Sequence, residues 1–306
     1  MGYARQMRVD GYLQENTVGM QMIEESGDGM HVLAVEGRSA GGDAAEYRDD
    51  LSGQALDSSL VKAAIKKELD YFESKQVWEL VPKSEARRVT GKDPVSVRWV
   101  HTNKGDNDNP DLRARLVARQ MRGAGEDPIF APTPPLESLR LILSLAATQM
   151  PDAPAHCREP LSEDRTQISL IDISRAYFNA KVDKDKPTYV ALPAEHPQYQ
   201  AGMCGRLLRH MYGTRAAAEG WQSEYSNTML KLGFKQGSAS PCVFYHPERR
   251  LGCSVYGDDF TTAGSKVNLD WFEKTLEASY ELRKGGRLGP GPEDEKEGRI
   301  LNRVVR

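Results

Sequence analysis

The chain has 306 residues, 39% hydrophobic and 28% charged, with a formal net charge of −3, enough apolar material for about two domains. No stretch approaches the roughly 18 apolar residues of a membrane span, and the opening MGYARQMRVDGYLQ carries no apolar secretion segment. The four cysteines (Cys157, Cys204, Cys242, Cys253) form no CxxC pair. A membrane protein, a secreted cystine-rich domain, a collagen-like chain and a zinc finger are excluded, and an intracellular, non-secreted protein is expected.

The charge is unevenly spread. Residues 1–60 hold 4 Lys/Arg against 11 Asp/Glu, whereas residues 83–122 hold 10 basic against 5 acidic side chains. The acidic opening, with few aromatics, reads as a disordered leader over residues 1–55. The basic stretch suits a polyanion such as nucleic acid or a nucleotide phosphate, although a solvated charged face would look the same.

In chain order, Asp57 is an N-cap for a helix to about Gln76, with Val61, Ile65, Leu69 and Phe72 forming one apolar stripe. Trp78–Val81 reads as a short strand closed by Pro82. Alternation in VSVRWVH (95–101) and LRARLVAR (112–119), around the turn-rich KGDNDNPD (104–111), predicts a β-hairpin with Arg113 and Arg115 on its polar face. A helix is expected over about 136–148, then a loop over 151–166. QISLID (167–172) is an apolar strand ending in an aspartate, with a turn and short helix in ISRAYFNA behind it. TYVALP (188–193) and RLLRHMYG (206–213) are further strands, followed by a helix over about 215–232. CVFYH (242–246) and LGCSVYG (251–257) predict a second hairpin that continues through Asp258-Asp259-Phe260 into a third strand. A helix near 266–280 follows, and 285–298 reads as a loop. Strands and helices intermixed with hairpins indicate an α+β fold, not a doubly wound parallel sheet.

Two predicted strand ends therefore bear carboxylates: Asp172, and Asp258-Asp259 at a hairpin tip where Gly257 permits a left-handed backbone angle. Each alone is commonplace, since a DD pair is ordinarily a solvated turn and a lone Asp ordinarily caps the next helix. Clustered carboxylates raise one another's pKa unless cations neutralise them. Hard oxygen donors favour Mg²⁺ completed by substrate phosphates, and two ions about 3.5–4 Å apart serve phosphoryl transfer.

From about residue 55 onward the chain resembles the reverse transcriptase of copia-type LTR retrotransposon Pol polyproteins. VWELVP, LRARLVAR, IFAPTPPLESLRLILSLAA, LIDISRAYFNA, MYGTRAAAEGW and YGDDF stand in the family's order. The resemblance implies a right-hand polymerase. Its palm would be a ferredoxin-like antiparallel sheet with helices on one face, joined to fingers, with the thumb incomplete. Fingers are expected over 56–150, palm over 151–284, and a connector toward a missing thumb over 285–306. The implied activity is RNA-directed DNA polymerisation, with Asp172, Asp258 and Asp259 as catalytic residues and ligands of two Mg²⁺ ions, Mn²⁺ being the alternative. Tyr177, five residues after Asp172, would lie beneath the incoming sugar and clash with a ribose 2′-hydroxyl. Its plainer reading is an aromatic packed behind the strand. Arg113 or Arg115 would meet the triphosphate as bidentate donors, and Arg215 a phosphate, while Tyr256 and Gly257 would lie against nucleic acid. Implied partners are an RNA or DNA template with primer, deoxynucleoside triphosphates, and other Pol segments such as integrase and RNase H. The implied setting is cytoplasmic, in virus-like particles, or nuclear.

The YGTRAAAEGW block departs from the family's pattern. Thr214 replaces a Leu, Ala216 a Gln, Ala218 a Pro and Glu219 an Arg. Loss of the amide at 216 bears on nucleotide contact, which makes a weakened or inactive nucleic-acid-binding remnant the second reading. A metal-dependent phosphotransfer or nuclease domain is the third. The six histidines are scattered without zinc spacing, and no Gx4GK[ST] phosphate loop occurs.

Overall fold

The computed structural model describes residues 47–106, 108–121, 134–147, 166–301 and 303–306. The expected boundary at residue 55 falls inside ordered chain, because β1 (Tyr47–Arg48) and β2 (Ala55–Leu56) pair antiparallel. Asp49 ties this turn down, accepting from the backbone N–H groups of Leu51 and Ser52 at 2.8 Å each and of Asn103 at 2.6 Å. Burial opposes its ionisation, but these bonds prevail and hold its pKa below the usual carboxylate value.

Helix α1 (Ser58–Ser74) starts where expected, the Asp57 side chain accepting from the Ser59 and Leu60 N–H groups. Its buried stripe contains Val61, Ile65, Leu69 and Phe72, and also Glu68. After β3 (Trp78–Pro82) comes α2 (Lys83–Thr90), for which the sequence gives no apolar stripe; it buries Ala86 alone and stops at Gly91 in the left-handed region. The hairpin β4 (Val97–Asn103) and β5 (Leu112–Ala118) forms in register from Val97↔Ala118 to Asn103↔Leu112. Alternation along β5 buries Ala114, Leu116 and Ala118 against α1 and leaves Arg113 and Arg115 partly exposed.

The chain continues through α3 (Leu136–Ala147), β6 (Thr166–Ile173), a 3₁₀ turn (Ala176–Asn179), β7 (Tyr189–Ala191) and β8 (Met203–Leu207). The expected strand over 206–213 leaves its ladder after Leu207. The N–H groups of Leu208 and Arg209 turn to the Val77 carbonyl and that of His210 to Ala180. Helix α4 (Ala217–Lys231) is followed by β9 (Lys235–Gln236), β10 (Val243–His246), β11 (Leu251–Tyr256), β12 (Asp259–Ser265), α5 (Lys266–Glu277) and β13 (Leu282–Leu288). Gly285–Leu288, expected to be loop, extend β13. Its ladder to β6 is interrupted by an irregularity between Lys284 and Arg287, and Gly286 sits at φ +91°. A last hairpin joins β14 (Gly298–Ile300) to β15 (Arg303–Val305).

The main sheet has six antiparallel strands in the order β13-β6-β12-β11-β10-β9, and a second has the order β3-β8-β7. Ile171, Ile173, Val255 and Phe260 pack with Trp221 and Tyr225 of α4 and Leu269, Phe272 and Leu276 of α5. The opposite face is not free of helices. Ile142 of α3, from the segment before the expected palm, packs there on Ile168 and Ala263. Fold class is mixed α and β with antiparallel sheets and five α-helices among the described residues.

Candidate active site

The main sheet brings its two carboxylate-bearing segments together through strand register. In the β12–β6 ladder Asp259 is paired with Asp172. The Ile173 N–H donates to the Asp258 carbonyl at 2.9 Å, one residue outside that pair. The pair is therefore of the non-hydrogen-bonded kind, in which facing Cα atoms are only about 4.5 Å apart and the side chains rise from the same face. Period-two alternation puts Asp172 and Asp259 on the face that α3 covers at its other end.

Asp258 occupies the two-residue turn between β11 and β12, which closes on the Tyr256↔Asp259 pair. Gly257 takes φ +64° and Asp258 a negative φ, the pattern of a type II′ hairpin turn. The Trp221 indole Nε1 donates to the Gly257 carbonyl at 2.8 Å, anchoring the turn to α4. Tyr256 and Gly257 are themselves half-buried.

Electrostatics follow from this crowding. Burial, and then the Asp172 carboxylate, push Asp258 up to about 6. Burial, then Asp258 and Asp172, push Asp259 up to about 7. Such a site favours protons or cations, and its oxygen donors are the hard ligands that suit Mg²⁺. Among the described residues no three His, Cys, Asp or Glu side chains converge as a ready-made cation cage. The donor chemistry therefore fits a divalent ion only when the ion brings further oxygens with it. A shallow recess beside Asp259 is lined by Leu170, Thr261, Arg299 and Ile300.

Tyr177 lies in the 3₁₀ turn behind Asp172, half-buried, its ring edge-on to Tyr212 at 5.1 Å. Burial and then the Asp258 carboxylate raise its phenol. The tyrosine is thus both packed and electrostatically close to the turn, so its two sequence readings are not exclusive. Tyr212, which sequence reasoning did not single out, packs edge-on against both Tyr177 and Phe178. Burial raises its phenol against the lowering influence of Arg115, and Asp258, Glu68 and Tyr177 raise it further.

The expected basic residues divide. Arg115 forms an ion pair with buried Glu68 at 3.4 Å, within the electrostatic reach of Tyr212. Arg113 pairs instead with Asp111 of its own hairpin at 3.0 Å. Arg215 is held through its backbone, its N–H donating to Gln120 Oε1 at 2.9 Å. The Ala118 N–H donates to the Tyr212 carbonyl at 2.8 Å, so residues 212–215 close onto the end of β5. Gly213 makes that approach possible, since a Cβ there would lie 1.9 Å from the Ala118 oxygen. Thr214, at a departure from the family pattern, is buried with its hydroxyl donating to the Met211 carbonyl at 2.8 Å. Ala216 occupies the N-cap of α4, where it offers no capping side chain.

Sequence reasoning also missed Glu68 and Arg175. Glu68 had a signal, because a carboxylate at the i+3 position from Ile65 falls on the apolar stripe of α1. Arg175, at φ +48°, had none.

Comparisons with known proteins bear on the family. The family model described as "Reverse transcriptase (RNA-dependent DNA polymerase)" matches residues 75–289. The chain is 24% identical over 237 residues to "Retrovirus-related Pol polyprotein from transposon TNT 1-94" of Nicotiana tabacum, covering 74% of this chain and 16% of that protein. It is 24% identical over 247 residues to "Retrovirus-related Pol polyprotein from transposon RE1" of Arabidopsis thaliana, covering 74% and 14%. The chain thus spans only about a sixth to a seventh of these relatives' length. The copia-type resemblance is borne out.

Proposed function

The chain belongs to the reverse transcriptase (RNA-dependent DNA polymerase) family, and from that premise we propose that it extends a primer 3′ hydroxyl along an RNA or DNA template with deoxynucleoside triphosphates. The observation that carries this reading is the facing pair Asp172↔Asp259 with Asp258 in the adjoining turn. Asp172 and Asp258 would be the chief holders of two Mg²⁺ ions, or Mn²⁺, with Asp259 in support. When bound, the ions would activate the attacking hydroxyl and stabilise the leaving oxygen.

The chain's own residues supply the rest. Trp221 fixes the turn that presents Asp258. Tyr177, on the segment that follows Asp172, would close the space a ribose 2′-hydroxyl needs. Arg115 and Arg113 of the chain's basic region, and Arg215 beyond it, would meet triphosphate or template backbone through charge-assisted hydrogen bonds. Tyr256 and Gly257 would lie against the primer strand. In this reading residues 56–150 act as fingers and 151–284 as palm, and 285–306 lead toward a thumb. Other Pol segments such as integrase and RNase H would be its partners, in a cytoplasmic particle or the nucleus. No helix among the described residues is long and apolar enough to cross a membrane.

A binding-only remnant is the second reading, favoured by Ala216, which offers no side-chain amide at the end of the 212–215 connection. Primer extension separates the two. Purified protein with Mg²⁺, a primed RNA template and deoxynucleotides extends the primer under the first reading. Asp258→Asn abolishes extension and leaves primer–template binding largely intact. Equal binding with no extension by either protein establishes the remnant.

A further inference from the structure

We propose that Glu68 is a positioning residue: it presets Arg115 for the triphosphate of the incoming deoxynucleotide and couples that arginine to the segment carrying Asp172 and Tyr177. The inference rests on the polymerase reading above and adds a residue to it.

Glu68 is 1% exposed and sits on the buried stripe of α1, where an apolar side chain would cost less to bury. Its Oε2 alone accepts three N–H bonds: from Arg115 Nη1 at 3.4 Å, from Arg175 Nε at 3.1 Å and from Arg175 Nη2 at 2.9 Å. Its Oε1 is buried and lacks a hydrogen-bond partner among the described residues. A carboxylate serving only to anchor α1 would gain more by sharing both oxygens. Here one oxygen joins two guanidinium groups from distant parts of the chain.

Those groups come from the two regions that have to meet across a nucleotide. Arg115 lies on β5, while Arg175 lies three residues after Asp172 and two before Tyr177. Arg175 is locked in place, its backbone at φ +48° and its guanidinium 3.9 Å over the Tyr71 ring. Two guanidiniums on one carboxylate leave an excess positive charge, and Arg115 lies near enough to Tyr212 to oppose the rise of its phenol. Among the described residues both hydrogen bonds of Arg115 leave from Nη1, one to Glu68 and one to the Ala114 carbonyl. Its Nε–Nη2 edge is not consumed by them and suits the bidentate recognition of a phosphate.

The test is steady-state primer extension with wild type, Glu68→Gln, Arg115→Ala and the double variant. Glu68→Gln should raise the KM for deoxynucleotide about tenfold while kcat stays within about twofold, the split expected when uniform substrate binding is lost. The double variant should be no weaker than Arg115→Ala. An unchanged KM, or a fall in kcat alone that tracks a lowered Tm, overturns the proposal, as does additivity of the two substitutions. Should Glu68→Gln not fold, Glu68→Asp keeps the charge and retracts it by one methylene. A raised KM in that variant supports the proposal and an unchanged one overturns it. If wild type does not extend primers, the polymerase reading fails first. Equilibrium binding of Mg²⁺–deoxynucleotide to the protein–primer–template complex then decides the role of Glu68. Weaker binding by Glu68→Gln supports it, and equal or absent binding in both proteins overturns it.

Discussion

The indole nitrogen of Trp221 donates to the carbonyl of Gly257, so a helix packed on the main sheet holds the turn that carries Asp258. Trp221→Phe keeps most of the buried ring and removes this bond. We expect a loss of about 1–2 kcal/mol in stability from the unpaired carbonyl and the smaller ring. Extension should fall further than the loss of folded protein explains. Chemical denaturation and primer extension on the same preparations check this.

The raised carboxylates predict an inverted pH dependence in metal-free buffer. Asp258 and Asp259 bind protons more tightly folded, at about 6 and about 7, than at the ordinary value of 3.8. Folding is therefore favoured at low pH by these two groups, and that contribution is lost as pH rises from about 4 through 7. Asp259→Asn should stabilise the protein at pH 8 by roughly 2 kcal/mol, with the gain vanishing near pH 4. Thermal melts across pH measure it, and added Mg²⁺ should narrow the gap between variant and wild type.

Glu273 runs the other way. Its carboxylate accepts from Ser169 Oγ at 2.6 Å and from Arg287 Nη2 at 2.7 Å; burial opposes its charge, yet these bonds hold its pKa below the ordinary value. Its stabilisation is present at neutral pH and disappears as pH falls through the carboxylate range. Glu273→Gln should cost about 1–3 kcal/mol at pH 7 and less at pH 3, as read by urea denaturation at the two pH values.

Tyr177→Ala should relax the choice of sugar. Removal of a ring packed edge-on against Tyr212 opens the space next to Asp258. Ribonucleotide incorporation should rise relative to deoxynucleotide incorporation by tenfold or more, roughly the discrimination of 1–3 kcal/mol that one filled contact supplies. An unchanged ratio assigns the ring to packing alone.

Gly257→Ala meets no atom within 4 Å but forces an alanine to φ +64°. A penalty of about 1–2 kcal/mol is expected from that backbone angle, localised to the turn. Hydrogen exchange of the Asp258 and Asp259 amides should accelerate while the amides of β10 stay protected.

Much of this was legible in the residues. The stripe of α1, the alternation of β4 and β5, and the strand–turn–strand around Asp258 each carry a period that one face of burial enforces. Helix α2 escaped notice because KSEARRVT buries a single alanine, so no periodicity exists to find. The end of β13 was hidden by Gly285-Gly286, which read as loop and form a ladder irregularity instead. The carboxylates were visible as residues, but their facing register depends on how two segments 87 positions apart align, which no local pattern encodes. Glu68 is the converse: the periodicity pointed to it, but its partners Arg115 and Arg175 lie 47 and 107 positions away.

Strand β6 is zipped along both of its edges, to β12 on one side and β13 on the other. Asp172 therefore stands on a fixed post, since shifting it would tear two ladders at once. Asp258 rides on a two-residue bend tied down by a tryptophan at Gly257 and by the Ile173 N–H at its own carbonyl. The bend is thereby slaved to the post, and the spacing of the acidic groups is inherited from the ladder that both segments share.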